Sequence, residues 1–261
     1  MILRRVAHHL KRQEWTAVGI ELLIVILGVF IGFQVTDWAG ERAKRSAEAR
    51  HLEEIAEDLR ADAAIIDQIR SSAEMRISAI DDLLGETRGL TRPSQIVTPN
   101  GDAFDMPAGP PVAPADRTHL LGRANLIRST KGNRTGFEAL LGAGGMQTIR
   151  DRQISRQLQV YYAQYDDMNE LTNVVRQVRA EGVAIGHTLG LSAFGEMDAD
   201  KLIPIVGGSP AYSAYLRTSR EWAAIYLGTV VQQKQRAQHL LGDINAYLGH
   251  SGNSSSVPAP Q

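Results

Sequence analysis

Glu21 is the residue best placed to do chemistry, because it is the only ionisable side chain in an apolar run that extends over residues 16–35. A carboxylate that faces lipid is costly, so we expect Glu21 to face a second helix or water, where it could bind a proton or a cation. Since it lies near the start of the run, an equally good interpretation is that it reaches the headgroup region. The sequence leaves both interpretations open.

Helical spacing places Glu21 on one face with Val25, Gly28 and Gly32, in steps of four, three and four residues. Gly28 and Gly32 form a G-x-x-x-G pattern, which allows two helix backbones to approach closely in a membrane. We therefore predict a helix–helix interface at Glu21, Val25, Gly28 and Gly32, formed in a homo-oligomer or with another membrane protein.

Other patterns that could support catalysis or metal binding are incomplete. The seven histidines form no H-E-x-x-H motif, no G-x-S-x-G motif occurs, and the absence of cysteine excludes disulfides and thiolate chemistry. Glu196, Asp198 and Asp200 lack the glycine and the final glutamate of an EF-hand loop. Residues 142–145 (GAGG) lack the last glycine of a dinucleotide fingerprint. The sequence predicts no catalytic, cofactor-binding or metal-binding residues.

Two further sets of polar side chains are interpreted as structural. Tyr161, Tyr162 and Tyr165 have helical spacing, which is more typical of core packing than of a ligand cage. A series of charged residues between apolar helical positions is interpreted as a solvated helix face, without a catalytic carboxylate pair. This series consists of Glu53, Glu54, Glu57, Asp58, Arg60 and Asp62.

The element that carries Glu21 is predicted to be a transmembrane helix over residues 16–36. About 20 apolar residues are needed to cross a hydrocarbon core that is about 30 Å thick. Trp15 and Trp38 flank the run, and we expect both to act as anchors at the membrane–water interfaces. A cleaved signal peptide fits less well, because the run is long and no small-x-small cleavage site follows it.

Composition and flanking charges limit the location and the partners. The 261-residue chain has a net charge of −1, so no overall field attracts nucleic acid. Lys and Arg are balanced around the span, but Lys11 and Arg12 lie closer to it than Arg42 does. We predict a single-pass protein of the inner (cytoplasmic) membrane, with a cytoplasmic N-terminus and a periplasmic C-terminal domain.

The predicted fold class is all-α, with the transmembrane helix continuing into a long stalk helix and an antiparallel helical bundle domain. Apolar residues in steps of three and four support this stalk. The predicted segments are a basic flank (1–15), the span (16–36), the stalk (37–84), a Pro-rich loop (85–117), the bundle (118–248, with 37–84) and a disordered tail (249–261).

Local signals predict where several helices begin and end. Thr135 followed by Glu138 suggests a capping box, and residues 151–189 form a second long helix. Residues 190–208 are Gly-rich and predicted to be a loop. Pro210 after Ser209 is predicted to start the last helix, which Gly249 closes.

Two blocks of the sequence occur together in a recognisable order. The first consists of residues 19–28 (GIELLIVILG), 34–38 (QVTDW) and 41–42 (ER), and the second of residues 137–140 (FEAL), 144–145 (GG), 149–151 (IRD), Leu158, Tyr161 and Tyr162. They resemble the bacterial family named domain of unknown function 6090, from whose pattern this chain departs at Ile20 and around Trp38. The resemblance implies a single-pass helical membrane protein and implies no activity.

These observations favour a membrane-anchored helical interaction, accessory-subunit or sensory module without catalytic activity of its own. Its predicted partners are the lipid bilayer and membrane proteins, and no cofactor or nucleic acid is expected. The alternative is an ion-coupled subunit of an energy-transducing membrane complex that uses Glu21. An enzyme with an unrecognised site is the least favoured hypothesis.

Overall fold

The computed structural model describes residues 15–85, 95–97, 101, 103–106 and 109–253. The chain divides into two compact units, residues 1–50 and residues 51–261. The described residues are almost entirely helical, which confirms the prediction of an all-α protein.

Six α-helices and one hairpin make up the described structure. The helices are α1 (Trp15–Leu84), α2 (Leu120–Ala124), α3 (Thr135–Gly142), α4 (Arg152–Thr188), α5 (Ala199–Gly208) and α6 (Pro210–Asn253), and the strands are β1 (Gln95–Val97) and β2 (Ala103–Asp105). Short 3-10 turns at Pro114–His119 and Gly145–Thr148 precede α2 and follow α3.

The second unit is built on the C-terminal part of α1, α4 and α6. The side-chain contacts between α1 and α6 include Arg60 with Asn245, Asp67 with Lys234, and Asp81 with Arg220. Because residue numbers rise along α1 as they fall along α6, these two helices are antiparallel. Gln157 on α4 likewise contacts Asp243, and Gly182 packs against Tyr215. Helices α1 and α4 therefore run parallel to each other, and α6 runs antiparallel to both.

Apolar side chains at helical spacing fill the core between these helices. One cluster joins α1, α4 and α6 and includes Leu52, Ile55, Leu59, Leu158, Val230 and Ile244. A second cluster packs the short helices against the ends of α1 and α6 and includes Ile80, Leu83, Leu120, Leu202, Val206 and Leu216. The predicted apolar stripes of the long helices thus lie inside the domain.

The capping box predicted at Thr135 is wrong. Helix α3 begins at Thr135, and its N-cap residue is Arg134, whose side chain makes no capping hydrogen bond. The N–H of Gly136, which has no partner within its own helix, instead donates to Oδ2 of Asp58 on α1 at 2.7 Å. A carboxylate distant in sequence therefore accepts the hydrogen bond from the first turn of α3 that the local motif was expected to accept.

The prediction of a loop over residues 190–208 is also wrong in its second half. Helix α5 begins after Asp198, whose side chain accepts a hydrogen bond from the N–H of Asp200 at 2.8 Å. Leu202 and Val206, one turn apart, are buried and provide the packing that outweighs Pro204 inside the helix. The glycines at its end had suggested a loop.

The ends of the last helix differ in how well they were predicted. Ser209 caps α6 as expected, because its Oγ accepts a hydrogen bond from the N–H of Tyr212 at 3.2 Å. Gly249 does not close the helix, which continues to Asn253. The remainder of the predicted disordered tail, residues 254–261, lies outside the described residues.

A β-hairpin occupies part of the Pro-rich segment. Strands β1 and β2 are antiparallel, with Gln95 opposite Asp105, and Gly101 lies between them with φ of 88°. Phe104 packs against α6 at Gly228, where a Cβ would lie 2.6 Å from the ring. The hairpin was not predicted, since the prolines around it indicated a loop over residues 85–117. Much of that segment lies outside the described residues.

Candidate functional site

The predicted membrane interface lies on an open surface of α1. The large apolar side chains from Ile20 to Val35 are between 48% and 67% exposed. A Cβ added at Gly28 or Gly32 would meet no described atom within 4 Å. Glu21 and Val25 are exposed on the same helix, so the four residues of the predicted interface are accessible together. That a second helix packs there stays a prediction.

The N-terminal part of α1 is long and apolar enough to cross a membrane, by its length and composition. Trp38 at its C-terminal end is 63% exposed, and the Arg42 guanidinium lies 5.5 Å from the centre of the indole ring. This cation–π contact suits an interface where the ring meets headgroups and the charge meets water. The anchor role predicted for Trp15 concerns a side chain outside those described.

A cluster of buried carboxylates and phenols is the main polar feature of the second unit. Asp58 is 7% exposed and Asp62 is 0% exposed, so the interpretation of both as part of a solvated face is wrong. Asp62 lies on the apolar stripe of α1, because Ile55, Leu59, Asp62 and Ile66 follow one another in steps of four, three and four residues.

The two carboxylates, one helical turn apart on α1, bind the segment that leads into α3. Asp62 Oδ1 accepts a hydrogen bond from the N–H of Asn133 at 2.7 Å, and Asp58 accepts one from Gly136. Gly132, directly before Asn133, has φ of 73°, and a Cβ there would lie 2.6 Å from the ring of Tyr165 on α4. The backbone of this segment can therefore approach α4 so closely only because position 132 is glycine.

Tyrosines of α4 complete the cluster. The Tyr161 hydroxyl donates to Asp62 Oδ2 at 2.8 Å and lies 3.2 Å from the Tyr165 hydroxyl. Gln233 of α6 donates from Nε2 to the backbone oxygen of Tyr161 at 3.1 Å. The Gln233 Oε1 atom is buried with no hydrogen-bond partner among the described residues. The prediction that these tyrosines pack in the core is correct for their rings, but it missed their hydrogen-bond network.

Burial sets the protonation of this cluster. It raises the pKa of Asp62, against the lowering effect of the hydrogen bonds from Asn133, Tyr161 and Tyr165. Burial also raises the pKa of Tyr161 and Tyr165 far above the usual value for a phenol. The phenols therefore stay protonated and donate hydrogen bonds. Because Asp62 is inaccessible, the cluster can hold a proton and a chain segment, but it offers no carboxylate to a diffusing substrate.

The side chain of Tyr162 makes contacts through its ring and not through its hydroxyl, unlike Tyr161 and Tyr165. The ring stacks on Phe137 with centroids 4.1 Å apart, and the Arg134 guanidinium lies 5.9 Å from its centre. Arg134 also donates to the backbone oxygen of Tyr162 at 2.8 Å and to Asp166 at 2.9 Å. The Tyr162 hydroxyl is buried without a hydrogen-bond partner in the described structure. These contacts hold α3 against α4.

Within the described ranges, no group of three or more His, Asp or Glu side chains is arranged to hold a metal ion. Comparison with family models, with curated proteins and with solved structures finds no match to this chain. Its function is therefore argued from its own residues.

Proposed function

We propose that this protein is a membrane-anchored helical module that binds or senses a partner and has no catalytic activity of its own. The observation that carries the proposal is the exposed apolar surface of α1 from Ile20 to Val35. An exposed apolar surface of this extent marks contact with a membrane or with another protein. The predicted span of residues 16–36, to which this surface belongs, is about 30 Å long as a helix and matches the hydrocarbon core of a bilayer.

The transfer free energies of these side chains favour a membrane over water. Twelve Ile, Leu, Val and Phe side chains are exposed between Ile20 and Val35. At roughly −0.3 to −0.6 kcal/mol each, they favour insertion by about 4–7 kcal/mol. A charged side chain at the bilayer centre costs about 3 kcal/mol on the same scale, and less near the interface. Glu21 therefore reduces the favourable free energy of insertion without reversing it.

The orientation belongs to the same proposal. Lys11 and Arg12 lie closer to the span than Arg42 does, which supports a cytoplasmic N-terminus and a periplasmic domain. Protease added to intact spheroplasts should then digest the C-terminal domain. Protection of that domain until the membrane is permeabilised would reverse the orientation.

Membership of the family named domain of unknown function 6090 is proposed on the two sequence blocks described above. It is supported by the Glu21, Gln34 and Trp38 pattern of the first block. The family supplies an expectation of single-pass membrane anchoring and supplies no activity.

Association through the G-x-x-x-G face is the interaction that the sequence favours. Replacing Gly28 or Gly32 with leucine should reduce cross-linking of the full-length protein in membranes, because the larger side chain separates the backbones. Gly19→Leu is a matched control, since Gly19 lies about 180° from Gly28 around the helix. Equal cross-linking in all three variants and the wild type would remove the oligomer from the proposal.

An ion-coupled subunit is the second candidate, favoured by the exposed carboxylate of Glu21 among exposed apolar side chains. Such a subunit would need the carboxylate itself. Glu21→Gln, which preserves the side-chain shape, should therefore abolish the function of the protein in its native membranes. A variant that behaves like the wild type would contradict this candidate.

A further inference from the structure

Arg76 is a buried cation that the described protein does not neutralise. Its side chain lies in the core, with the residue 3% exposed. It donates from Nε to the backbone oxygen of Ala124 at 3.1 Å and from Nη2 to Oγ of Ser219 at 2.6 Å. Both acceptors are neutral. No carboxylate among the described residues lies within 4 Å of its guanidinium, and the charge is left without a counter-ion.

The surroundings of Arg76 add to this imbalance. The ionisable groups that face it from the neighbouring helices are Arg179 on α4 and Tyr215 on α6. Burial lowers the pKa of Arg76 to about 10, Arg179 acts in the same direction, and Tyr215 opposes them. Burial also raises the pKa of Tyr215, which keeps that phenol neutral. Arg76 is therefore cationic at neutral pH in a region with a second positive charge.

The other buried arginine among the described residues, Arg220, has its charge balanced by a carboxylate. Arg220 donates from both Nε and Nη2 to the two oxygens of Asp81. Removing an arginine from water is costly, and a bidentate carboxylate is the geometry that best offsets the cost. The absence of such a partner at Arg76 among the described residues is thus a local exception.

A cavity of about 20 Å³ lies beside Arg76, between α1, α4, α6 and the segment after α2. Its walls are mostly apolar, and its charged lining residues are Arg76 and Arg128, with no carboxylate. The two lining hydroxyls already donate elsewhere: Thr172 to the backbone oxygen of Met168, and Tyr226 to that of Arg128. A cavity of this volume holds about one water-sized species. The guanidinium is the strongest group available to bind it.

We propose that the cavity beside Arg76 is a binding site for a small monovalent anion of the size of chloride. The anion supplies the counter-charge that no described carboxylate provides at Arg76. A halide matches a site with space for about one water-sized species beside the guanidinium. Bound there, the anion contacts three helices at once, so its binding stabilises their packing. A biological role for this anion rests on the proposed sensory function, whereas its binding can be tested separately.

The test uses the full-length protein in detergent, with thermal unfolding followed at constant ionic strength. Sodium chloride or sodium bromide replaces sodium gluconate, whose anion is too large for the cavity. The wild type should show a saturable rise in Tm with the halide and none with gluconate, because a ligand that binds only the folded state stabilises it. Absence of a halide-specific rise would overturn the proposal.

Two variants assign any effect to Arg76. Arg76→Met should lose the halide-dependent rise in Tm, and Arg76→Lys should retain it with weaker apparent affinity, since lysine keeps the charge but not the planar donor set. Arg70→Met is the matched control on the same helix, because Arg70 is half-exposed and pairs with Glu74, and it should respond like the wild type. An undiminished response in Arg76→Met would overturn the proposal.

Crystals of the wild type grown in bromide give a readout that does not depend on the folding of any variant. An anomalous difference peak within hydrogen-bond distance of the Arg76 guanidinium is expected. A water molecule without anomalous signal at that position would contradict the site. Retention of the protein in carbonate-washed membranes is unaffected by either result, so failure of the anion site is distinguishable from failure of the membrane-anchor proposal.

Discussion

Tyr161 and Tyr162 are neighbours in sequence, but only the first uses its hydroxyl. Tyr161→Phe removes the donor to Asp62 and should lower the free energy of unfolding by about 1–3 kcal/mol, because a buried carboxyl oxygen loses its partner. Tyr162→Phe is the matched control and should be neutral or slightly stabilising, since it removes a buried hydroxyl without a described partner. Denaturant unfolding followed by circular dichroism measures both. Equal destabilisation by the two variants would contradict the network.

Asp62 should make stability depend on pH. Because burial raises its pKa above the ordinary 3.8, the folded protein binds this proton more tightly than the unfolded chain does. The contribution of Asp62 to stability is therefore full below pH 3.8 and is lost as pH rises through the raised value. Unfolding of the wild type and of Asp62→Asn at a series of pH values measures it: the variant should gain relative to the wild type as pH rises. A constant difference would show that the pKa is not raised.

The buried carboxylates also show what single-residue patterns miss. Asp62 fits the apolar stripe of α1 by spacing, yet its charge favoured a surface position in the sequence interpretation. Its partners are the N–H of Asn133, 71 residues away, and the Tyr161 hydroxyl, 99 residues away. Such partners cannot be inferred from local spacing, because the long connections that bring them together carry no periodic signal.

At the scale of elements, the contact between α4 and α6 depends on a glycine. A Cβ at Gly182 would lie 2.0 Å from Cζ of Tyr215, and the hydroxyl of that ring is held by Asn125 at 3.0 Å. Gly182→Ala should therefore destabilise the protein by about 1–3 kcal/mol through overpacking. Denaturant unfolding provides the measurement.

Gly242→Ala in α6 is the control for this substitution. A Cβ there meets no described atom within 4 Å, so the variant should gain about 0.5–1 kcal/mol from helix propensity alone. If both alanine variants are stabilising, α4 and α6 do not approach each other as described.

The pairing of α1 with α6 depends on one buried ion pair more than on the exposed ones. Arg220→Met removes the arginine partner of Asp81, whose side chain is largely buried. It should lower the free energy of unfolding by about 3–5 kcal/mol. Lys234→Met breaks the pair with Asp67, which is half-exposed, and should cost less than about 1 kcal/mol. Unfolding free energies of the two variants test this ranking, and a reversed order would contradict it.

Long elements with strong periodicity were predictable, and short elements fixed by tertiary contacts were not. The end of α1 at Leu84 follows from the last apolar position of its stripe and from Gly85 after it. The start of α6 at Pro210 follows from the cap at Ser209. Helix α5 and the hairpin of β1 and β2 depend on packing against α1 and α6, which the glycines and prolines around them obscured. The start of α3 depends on Asp58, far away in sequence.

At the scale of the whole molecule, composition alone predicts an apolar helix that suits a membrane, because the length of the run needs no tertiary information. The cavity beside Arg76 is the opposite case. Nothing in the sequence around Arg76 distinguishes it from a surface arginine, and the absence of a carboxylate partner among the described residues follows only from the arrangement of α1, α4 and α6.

Partition of the full-length protein after an alkaline carbonate wash tests the central claim, that lipid covers the exposed surface of α1. The wild type should stay in the membrane pellet. The double variant Ile26→Arg with Val29→Arg should be released, because two arginines near the bilayer centre offset insertion by about 6–8 kcal/mol. Recovery of the wild-type protein in the supernatant, intact and unaggregated, would contradict the account.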